Sequence, residues 1–397
     1  MLRRRELLQV GCSSFFGLGL SGLLHRQAAA ASAPRVKSVV LVFLTGGGSH
    51  IDMFDPKPEV AEVKGEFEPI ATALPGVQFG DKMPGMAARA DKLAIVRSMA
   101  HGDNRHLSGS HNALTGAVQI FRGDSNEAKS LNRVDNPSFG SAVSYLRPRG
   151  DGLPSQVTLP NPLIEGVLVW PGQHSGFLGP AYDPFVLNDD PNGEKYEVKN
   201  LSLIDGLSLA RLGDRRALLA SIDRQQQQID ATLDGRKYSV QEELAFSMLT
   251  SSHLKTALDI HAESPETRDR YGRHTFGQTL LLARRLIELE MPVVQCNMGR
   301  VQTWDTHVDH FPRLKTMLPA LDAGVSALID DLEQRGLMDQ TLVVCVGEFG
   351  RTPSISPLAG QTVPGRHHHA AGYTAVLFVG GVRGGQVLGA TDQIGSR

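Results

Sequence analysis

The stretch VKSVVLVFLTGGG, residues 36–48, decides the fold of this chain. Its apolar, β-branched run up to Leu44 is typical of a buried strand in a parallel sheet, and the glycines that follow predict a tight loop. Three further apolar runs are PVVQCNM at 292–298, TLVVCV at 341–346 and YTAVLFVGG at 373–381, and a long helical pattern separates the first two. Strands that alternate with helices predict an α/β fold with a mostly parallel sheet.

Length and composition place the chain among globular proteins. It has 397 residues, of which 41% are hydrophobic and 21% charged, with 42 glycines. These values allow a core of good size and exclude a disordered or coiled-coil chain. Residues 121–200 are rich in Gly, Pro and Asn with little periodicity, so long loop excursions are expected there, whereas residues 208–290 carry a helical pattern. We therefore expect a single domain over residues 34–397.

The cysteines provide no disulfide scaffold. Cys12 lies in the N-terminal segment, and Cys296 and Cys345 each lie inside an apolar run. Neither of the latter two has the spacing of a Cys-x-x-Cys metal site, so both are expected to be buried free thiols.

The first 33 residues have the pattern of an export signal. Arginines at positions 3–5 precede two leucines, an apolar glycine-rich stretch and an alanine run at 28–31. The order Arg-Arg-x-Leu-Leu resembles a twin-arginine signal, which exports proteins that are already folded. Cleavage near Ala31 or Ala33 is expected to release the protein into the periplasm or the extracellular space, with no stable transmembrane span. The alternative, an uncleaved anchor helix, requires a longer apolar segment.

The charge distribution argues against a nucleic-acid partner. The whole chain has a formal net charge of −2. Because residues 1–31 carry an excess of arginine, the rest of the chain is more acidic than that value. An acidic domain is not a general nucleic-acid binder, and any anionic substrate would need local positive charge.

Polar clusters closely follow the strand-like runs. Asp52 comes after the first run, the loop WDTHVDH (304–310) after the second, Glu348 after the third, and the segment GRHHH (365–369) soon after that. In an open α/β sheet, ligands gather beyond the carboxyl ends of the strands, where loops carry polar side chains over a rigid floor. Carboxylates mixed with imidazoles suit a divalent cation such as Zn²⁺. The sequence therefore predicts a metal site at this edge of the sheet.

Some residues of these clusters have competing roles. Asp305 and His307 are expected to bind metal, whereas Asp309 is expected to cap the following helix. For Glu348, metal ligation and a salt bridge with Arg351 are equally compatible with the sequence. One or two imidazoles of the GRHHH segment are expected to be ligands.

A fifth polar segment, HGDNRHLSGSH at 101–111, follows the strand-like run LAIVRSM. Hydroxyls, imidazoles and a guanidinium beside a helix start are typical of an anion-binding or nucleophile-bearing loop. The alternative is a helix that Ser108 or Ser110 caps.

Several motifs together resemble a known family. They are GGGSHIDMFDPKP at 46–58, SMAHGDNRHLSGSHNALTG at 98–116, GFLGPAYDPF at 176–185, RYGRHTFGQTLLLARRLIE at 270–288, WDTH at 304–307, GEFGRTP at 347–353 and GRHHH at 365–369. In order and spacing, from about residue 36 to the end of the chain, they are similar to the branch of the alkaline phosphatase and sulfatase superfamily known as domain of unknown function 1501.

This resemblance implies a doubly wound, mostly parallel α/β sheet flanked by helices, alkaline phosphatase-like, with a site at the strand ends. It implies one or two divalent cations that clamp a sulfate or phosphate ester, with Zn²⁺ expected and Ca²⁺, Mg²⁺ or Mn²⁺ as alternatives. The residues that match the superfamily's metal ligands are Asp52, Asp305, His307, Glu348 and His368. His106 stands at the position of the nucleophile.

Departures from that pattern bear on activity and on the extent of the chain. The usual Asp-His pair is Glu348-Phe349 here. No Ser, Thr or Cys stands at position 106, so the attacking group would be Ser108, Ser110 or a metal-bound water. The chain stops just after a strand, where relatives continue, so a truncated C-terminus is expected.

The sequence thus predicts an exported, metal-dependent hydrolase of a small-molecule or glycan sulfate or phosphate ester. His106, Ser108 and Arg105 are expected to be catalytic, and the residues expected to bind substrate are Arg366, His111 and Arg351. The alternative is a secreted metal- or ligand-binding protein that keeps the fold but has lost hydrolysis. In a purely structural protein the polar clusters would not converge in space.

Overall fold

The computed structural model describes residues 36–119, 132–198, 243–378 and 380–397, together with residues 201, 208, 210–215 and 217. The predicted export signal at 1–33 lies outside these residues, and so does part of the predicted helical region at 208–290. In the part of the chain that the structure describes, no helix has the length and apolarity needed to cross a membrane.

A central sheet organises the described residues. Its strands in chain order are β1 (Ser38–Phe43), β2 (Leu93–Met99), β3 (Gln156–Leu159), β4 (Phe185–Val186), β5 (Val293–Asn297), β6 (Thr341–Val346), β7 (Tyr373–Phe378) and β8 (Gln386–Leu388). Their order across the sheet is β8-β2-β7-β6-β1-β5-β3-β4. Strand β7 runs antiparallel to both of its neighbours, and every other neighbouring pair of these strands is parallel. The predicted mostly parallel sheet is therefore confirmed, with the VKSVVLVFL strand near its centre.

Helices and small sheets complete the described residues. The helices are α1 (His50–Met53), α2 (Pro84–Ala87), α3 (His106–Thr115), α4 (Phe139–Leu146), α5 (Ser252–Leu258), α6 (Pro265–Tyr271), α7 (Thr275–Glu288) and α8 (His310–Gln334), with 3₁₀ turns at Ala90–Lys92, Gly176–Leu178, Pro180–Tyr182, Ile260–Ala262 and Met338–Gln340. Two-stranded sheets pair Pro69–Ala71 with Gln78–Gly80, Ile164–Glu165 with Leu168–Val169, Gly350–Arg351 with His368–His369, and Ser356–Pro357 with Pro364–Gly365.

Both faces of the sheet are covered by other elements. Successive side chains of β1 point to opposite faces, and both sets are buried. Val40 and Val42 lie in the larger core, which α7 and α8 complete. Leu41 and Phe43 pack on the other side against Leu114 of α3. A parallel strand that is buried on both faces has the continuous apolar pattern seen in residues 36–44. The α/β fold with helices on both faces of the sheet is thus confirmed.

The region 121–200 differs from the predicted loop excursions. Helix α4 and strands β3 and β4 lie within it, and β3 pairs with β5 inside the central sheet. The sequence pattern of β3 was weak, because this strand is only 4 residues long and includes the polar residues Gln156 and Thr158. All four residues are nevertheless buried. A strand so short and so polar has no apolar pattern that distinguishes it from a loop.

Two further predictions concern single residues. Cys296 and Cys345 are buried free thiols, as expected. Asp309 does stand at the N-cap position of α8, but its backbone is left-handed, with φ of 52°, and its side chain makes no capping hydrogen bond. The predicted capping by Asp309 is therefore wrong, since an N-cap side chain accepts from the first turn only when its own backbone is extended.

The topology brings the polar loops to one edge of the sheet. Strands β6, β1 and β5 are parallel neighbours, so the segments that follow them leave from the same edge. Strand β2 has the same direction as β6, because each is antiparallel to β7. The segment after β2 therefore reaches this edge, and so does the segment before β7. These segments hold the predicted site residues.

Candidate metal centre

A group of possible metal ligands forms at this edge from three separate segments. It consists of His106 at the start of α3, Asp305 in the loop after β5, and His368 ahead of β7. One ligand atom from each residue lies within 4.8 Å of the others. The Asp305 carboxylate is central, since Oδ1 lies 3.1 Å from His368 Nε2 and Oδ2 lies 3.3 Å from His106 Nε2.

Glycines allow the loop after β1 to pack against the loop that carries Asp305. Gly46 has a φ of +111°, and a Cβ at this position would lie 2.6 Å from the backbone nitrogen of Asp305. Only glycine tolerates both this conformation and this approach. Gly46, the first of the three glycines, is therefore needed for the close approach to Asp305.

In their neutral forms, the two histidines would direct the lone pairs of their Nε2 atoms to Asp305. Nδ1 of His368 lies 2.7 Å from the carbonyl oxygen of Asn104, and Nδ1 of His106 lies 2.8 Å from Oε1 of Glu348. Both partners can only accept, so each Nδ1 donates, and each neutral ring has a lone pair on Nε2. A lone pair that faces a carboxylate at this distance is repelled unless a proton or a cation lies between them. A divalent cation fits this donor set, and histidine ligands of metals are held in the same way through their other nitrogen.

The pKa values of the group follow from burial and its charges. Burial lowers the pKa of His106, but its hydrogen bonds with Asp305 and Glu348 outweigh burial and raise it to about 9. Burial lowers the pKa of His368. Burial acts to raise the pKa of Asp305, yet its histidine contacts and the Arg351 charge hold it well below its usual range. Without metal, a protonated His106 therefore faces Glu348 through Nδ1 and Asp305 through Nε2, and a cation would replace the Nε2 proton.

His307 lies beside this group. Its Nε2 is 2.9 Å from His368 Nε2 and 3.1 Å from Asp305 Oδ1. Its Nδ1 is 2.7 Å from Nδ1 of His367, whose Nε2 lies 3.1 Å from the Ser356 hydroxyl. The side chains of His307, His368 and Asp305 are 21%, 23% and 14% exposed, so solvent reaches the centre from their side.

Rings pack around the buried side of His106. The indole of Trp170 stacks on it at a centroid distance of 5.4 Å, and the ring of Phe349 lies at 5.1 Å. Trp170 is fully buried. These apolar contacts fix the plane of the imidazole and exclude water from one side of the centre.

Glu348, which was one of the predicted metal ligands, lies outside the group of ligand atoms, on the far side of His106. It is fully buried, and its carboxylate accepts hydrogen bonds from the Gly46 N–H, at 2.9 and 3.1 Å, and from His106. It therefore stands behind His106 and orients it, while His106 itself faces Asp305. The structure thus places His106, rather than Glu348, beside Asp305.

Replacing Glu348 with glutamine is expected to weaken Zn²⁺ binding by about 10- to 100-fold, because the substitution removes the negative charge that supports His106. The affinity can be measured by competition with a chelating dye, beside Glu62→Gln as a control at an exposed glutamate. Equal affinities for both variants would show that Glu348 does not support the centre.

Asp52 is separate from this group. Its carboxylate contacts the Ser49 hydroxyl, His310 Nε2 at 2.8 Å and the guanidinium of Arg366, with Nε at 2.8 Å. Burial acts to raise its pKa, but Arg366 and His310 hold that pKa well below its usual range. The structure brings Asp305 and His368 together as predicted for a metal site, and gives Asp52 other partners.

The residues predicted to bind substrate are buried and contact other groups of the protein. Arg351 and Arg366 are fully buried, and His111 is nearly so. Arg351 donates to Asp305 at 2.6 Å and to the carbonyls of Gly46 and Gly47. His111 donates to the carbonyl oxygen of Ala117. Arg351 and Arg366 are thus paired within the protein, whereas Nε2 of His111 is buried and has no hydrogen-bond partner among the described residues, so their role in substrate binding stays a prediction.

Of the residues predicted to be catalytic, only His106 belongs to the group of ligand atoms. The Ser108 side chain is buried. Arg105 is 39% exposed and pairs with Asp103 at 2.7 Å.

Sequence reasoning missed some residues around the centre. Asn104 orients His368 through its carbonyl oxygen, a backbone role that no side-chain motif signals. Trp170 follows a two-stranded hairpin in the region predicted to be irregular. His310 was assigned no role from the sequence, and the structure pairs it with Asp52.

Comparison with solved structures finds proteins of similar overall fold. One is Ps i-CgsB, with 10% identity, covering 91% of this chain and 70% of that chain at a TM-score of 0.42. Others are the PsFucS1 sulfatase from Pseudoalteromonas sp. (11% identity, 99% and 70% covered, TM-score 0.38) and the alkaline phosphatase from the Antarctic bacterium TAB5 (11%, 87% and 91%, TM-score 0.35). Likenesses at these TM-scores assign neither an activity nor a ligand. No curated protein matched the chain.

A family model does match, over nearly the whole chain. It covers residues 36–397, from the start of the first strand-like run onward, and its description is "Protein of unknown function (DUF1501)". The match includes the loops that carry His106, Asp305 and His368. The chain therefore belongs to the DUF1501 family, as the motifs indicated.

Proposed function

We propose that the protein is an exported, metal-dependent hydrolase of phosphate or sulfate esters, with a Zn²⁺-type cation bound by His106, Asp305 and His368. One observation carries this proposal. The Nδ1 atoms of His106 and His368 each contact a hydrogen-bond acceptor, and the Nε2 atoms of both rings face the Asp305 carboxylate. Three protein ligands with solvent access on one side are typical of a catalytic zinc site rather than a closed structural one. The export step rests on the arginine-rich N-terminal segment.

The charges around the centre favour an anionic ester. Asp305 and Glu348 carry negative charge and Arg351 carries positive charge, so the protein contributes about one net negative charge, which a divalent cation would reverse. The surrounding arginines are bound to protein groups, so the cation is the group that would attract the ester oxygens. A bound cation would act there as a Lewis acid and lower the pKa of a coordinated water.

His307 has the position of a general base. Its Nε2 lies at the exposed side of the ligand group and its Nδ1 contacts His367. Because Nε2 also faces Asp305 Oδ1 and His368 Nε2, it would be free to accept a proton from water only when a cation engages those two atoms. Because the Ser108 hydroxyl is buried, we assign the attack to water rather than to this side chain.

The second candidate function is metal-dependent binding without hydrolysis. The burial of Ser108 favours it, because a hydroxyl nucleophile of the kind used in covalent phosphoryl or sulfuryl transfer is then not available at this position. Under this alternative the centre binds metal and an anionic ligand but releases the ester unchanged.

Metal removal tests both candidates. Protein purified without chelator is expected to contain about one equivalent of zinc per chain, measured by mass spectrometry. Removal with dipicolinate is expected to reduce hydrolysis of aryl phosphate or aryl sulfate esters by at least about 100-fold, and added Zn²⁺ should restore it. Protein treated identically but given back only buffer is the control.

The outcomes separate the candidates. Metal binding with no hydrolysis of either ester class would overturn the hydrolase and favour the binding protein. A folded protein that holds no zinc and takes up none from solution would overturn both.

A further inference from the structure

We propose that Arg366 is a built-in cation that closes a second potential metal site, formed by Asp52, His310 and Ser49, so that the protein holds a single metal ion at Asp305. This inference rests on the proposed function only in placing a metal at Asp305. The arrangement around Asp52 stands on its own contacts.

The side chains around Asp52 are those of a metal site. The Asp52 carboxylate is 3% exposed, and Oδ2 contacts Nε2 of His310 at 2.8 Å and the Ser49 hydroxyl. Nδ1 of His310 lies 2.6 Å from the Thr306 hydroxyl, which orients the ring. A carboxylate, an oriented imidazole and a hydroxyl that converge in a buried space form a suitable set of ligands for a divalent cation.

A guanidinium occupies the place that such a cation would take. Nε of Arg366 lies 2.8 Å from Asp52 Oδ2, and Nη2 lies 3.2 Å from Oδ1, so Arg366 spans both carboxylate oxygens. Nη2 donates to Oδ1, whereas the Nε contact is an ion pair without a hydrogen bond, and a guanidinium keeps its charge in proteins. The positive charge that the buried carboxylate requires is therefore already supplied by the chain.

The Nη1 and Nη2 atoms of Arg366 also donate hydrogen bonds to backbone carbonyls. Nη2 also donates to the Val63 carbonyl at 2.7 Å, and Nη1 donates to the carbonyls of Thr352 and Pro353. Arg366 is fully buried. A metal ion could enter only by displacing a buried cation from its carboxylate partner, which is strongly unfavourable.

Asp305 differs from Asp52 although it also has an arginine partner. Arg351 contacts Oδ1 alone, at 2.6 Å, and Oδ2 faces His106. The Asp305 side chain is 14% exposed, against 3% for Asp52. The pairing geometry therefore leaves one carboxylate open to a metal and closes the other.

The test is the number of metal ions bound, read without reference to activity. Metal-free protein is titrated with Zn²⁺ in a calorimeter and with Co²⁺ in a spectrophotometer, which reports histidine ligation through visible absorption bands. The wild type should bind about one equivalent and Arg366→Ala about two. Arg366→Lys, which keeps a positive charge, and Arg383→Ala, at an exposed surface position, should each bind as the wild type does.

The added site is checked by removing its ligand. Arg366→Ala combined with His310→Asn should return to about one equivalent. A folded Arg366→Ala protein that binds no additional metal would overturn the inference. Wild-type protein that binds two equivalents, one of which Asp52→Asn removes, would also overturn it, and this measurement holds even if Arg366→Ala does not fold.

Failure of the proposed function gives a different result. If the wild type and the His310→Asn variant bind no metal, the Asp305 centre is refuted. A gain of about one equivalent in Arg366→Ala would still support the role of Arg366 in that case.

Discussion

Replacing Asp305 with asparagine is expected to lower the affinity for Zn²⁺ by at least about 100-fold and to reduce ester hydrolysis in parallel. Asp305 is the only carboxylate in the ligand group and the residue that His106 and His368 both face. An amide brings no negative charge, and its NH₂ group is a donor that would repel a cation. Both quantities can be measured by calorimetry and with aryl phosphate and aryl sulfate esters.

The same substitution has a cost in stability. Arg351 is fully buried and pairs with Asp305 at 2.6 Å, so Asp305→Asn leaves its charge without that partner. Breaking a buried pair from one side destabilises a protein by about 3–5 kcal/mol. Urea unfolding of the metal-free variant therefore has to show a folded baseline at the assay conditions. Asp339→Asn, at an exposed aspartate, is the matched control, and equal zinc affinity in the two variants would exclude Asp305 as a ligand.

Acidification is expected to destabilise the metal-free protein by about 3 kcal/mol through His50 alone. Burial lowers the pKa of His50 from 6.5 to about 4, although the hydrogen bond to the Gly395 carbonyl and the charge of Asp55 act in the other direction. The unfolded chain takes up a proton as the pH falls through 6.5, whereas the folded protein does so only near pH 4. The contribution of His50 to the free energy of unfolding is therefore fully present above pH 6.5 and is lost as the pH falls from 6.5 to 4.

The free energy of unfolding at a series of pH values from 7.5 to 4 measures this effect. His50→Gln keeps a donor for the Gly395 carbonyl but cannot titrate, so its loss of stability on acidification should be smaller than that of the wild type by about 3 kcal/mol. His253→Gln, at an exposed histidine, should follow the wild type. An unchanged pH profile in His50→Gln would show that other groups cause the acid sensitivity.

Local patterns were sufficient to predict the sheet and the edge at which the centre lies. The apolar runs that became β1, β5, β6 and β7 could be read from residue type, because a strand buried on both faces has to be continuously apolar. The position of Asp305 and His368 beyond these strands followed from the rule that ligands gather at strand ends. The short strand β3 escaped prediction because its 4 residues carry two polar side chains.

Roles within the centre could not be predicted from the same patterns. Glu348 was expected either to bind metal or to pair with Arg351, and His106 stood at the position of the nucleophile. These two residues are 242 positions apart in the chain, and only their contact shows which one faces Asp305. Asp52 and Asp305 follow similar strands in similar loops. Nothing local distinguishes a carboxylate that binds metal from one that binds an arginine.

By itself, the sequence determined the α/β class, the central strand, the family and the set of polar residues that reach one edge of the sheet. Only the tertiary structure decided that Arg366 closes Asp52, 314 residues away, and that Arg351 leaves Asp305 partly open. The physical reason is the steep dependence of electrostatic energy on distance and burial. Secondary structure depends on neighbours along the chain, whereas the state of a buried carboxylate depends on which charge lies within a few ångströms of it.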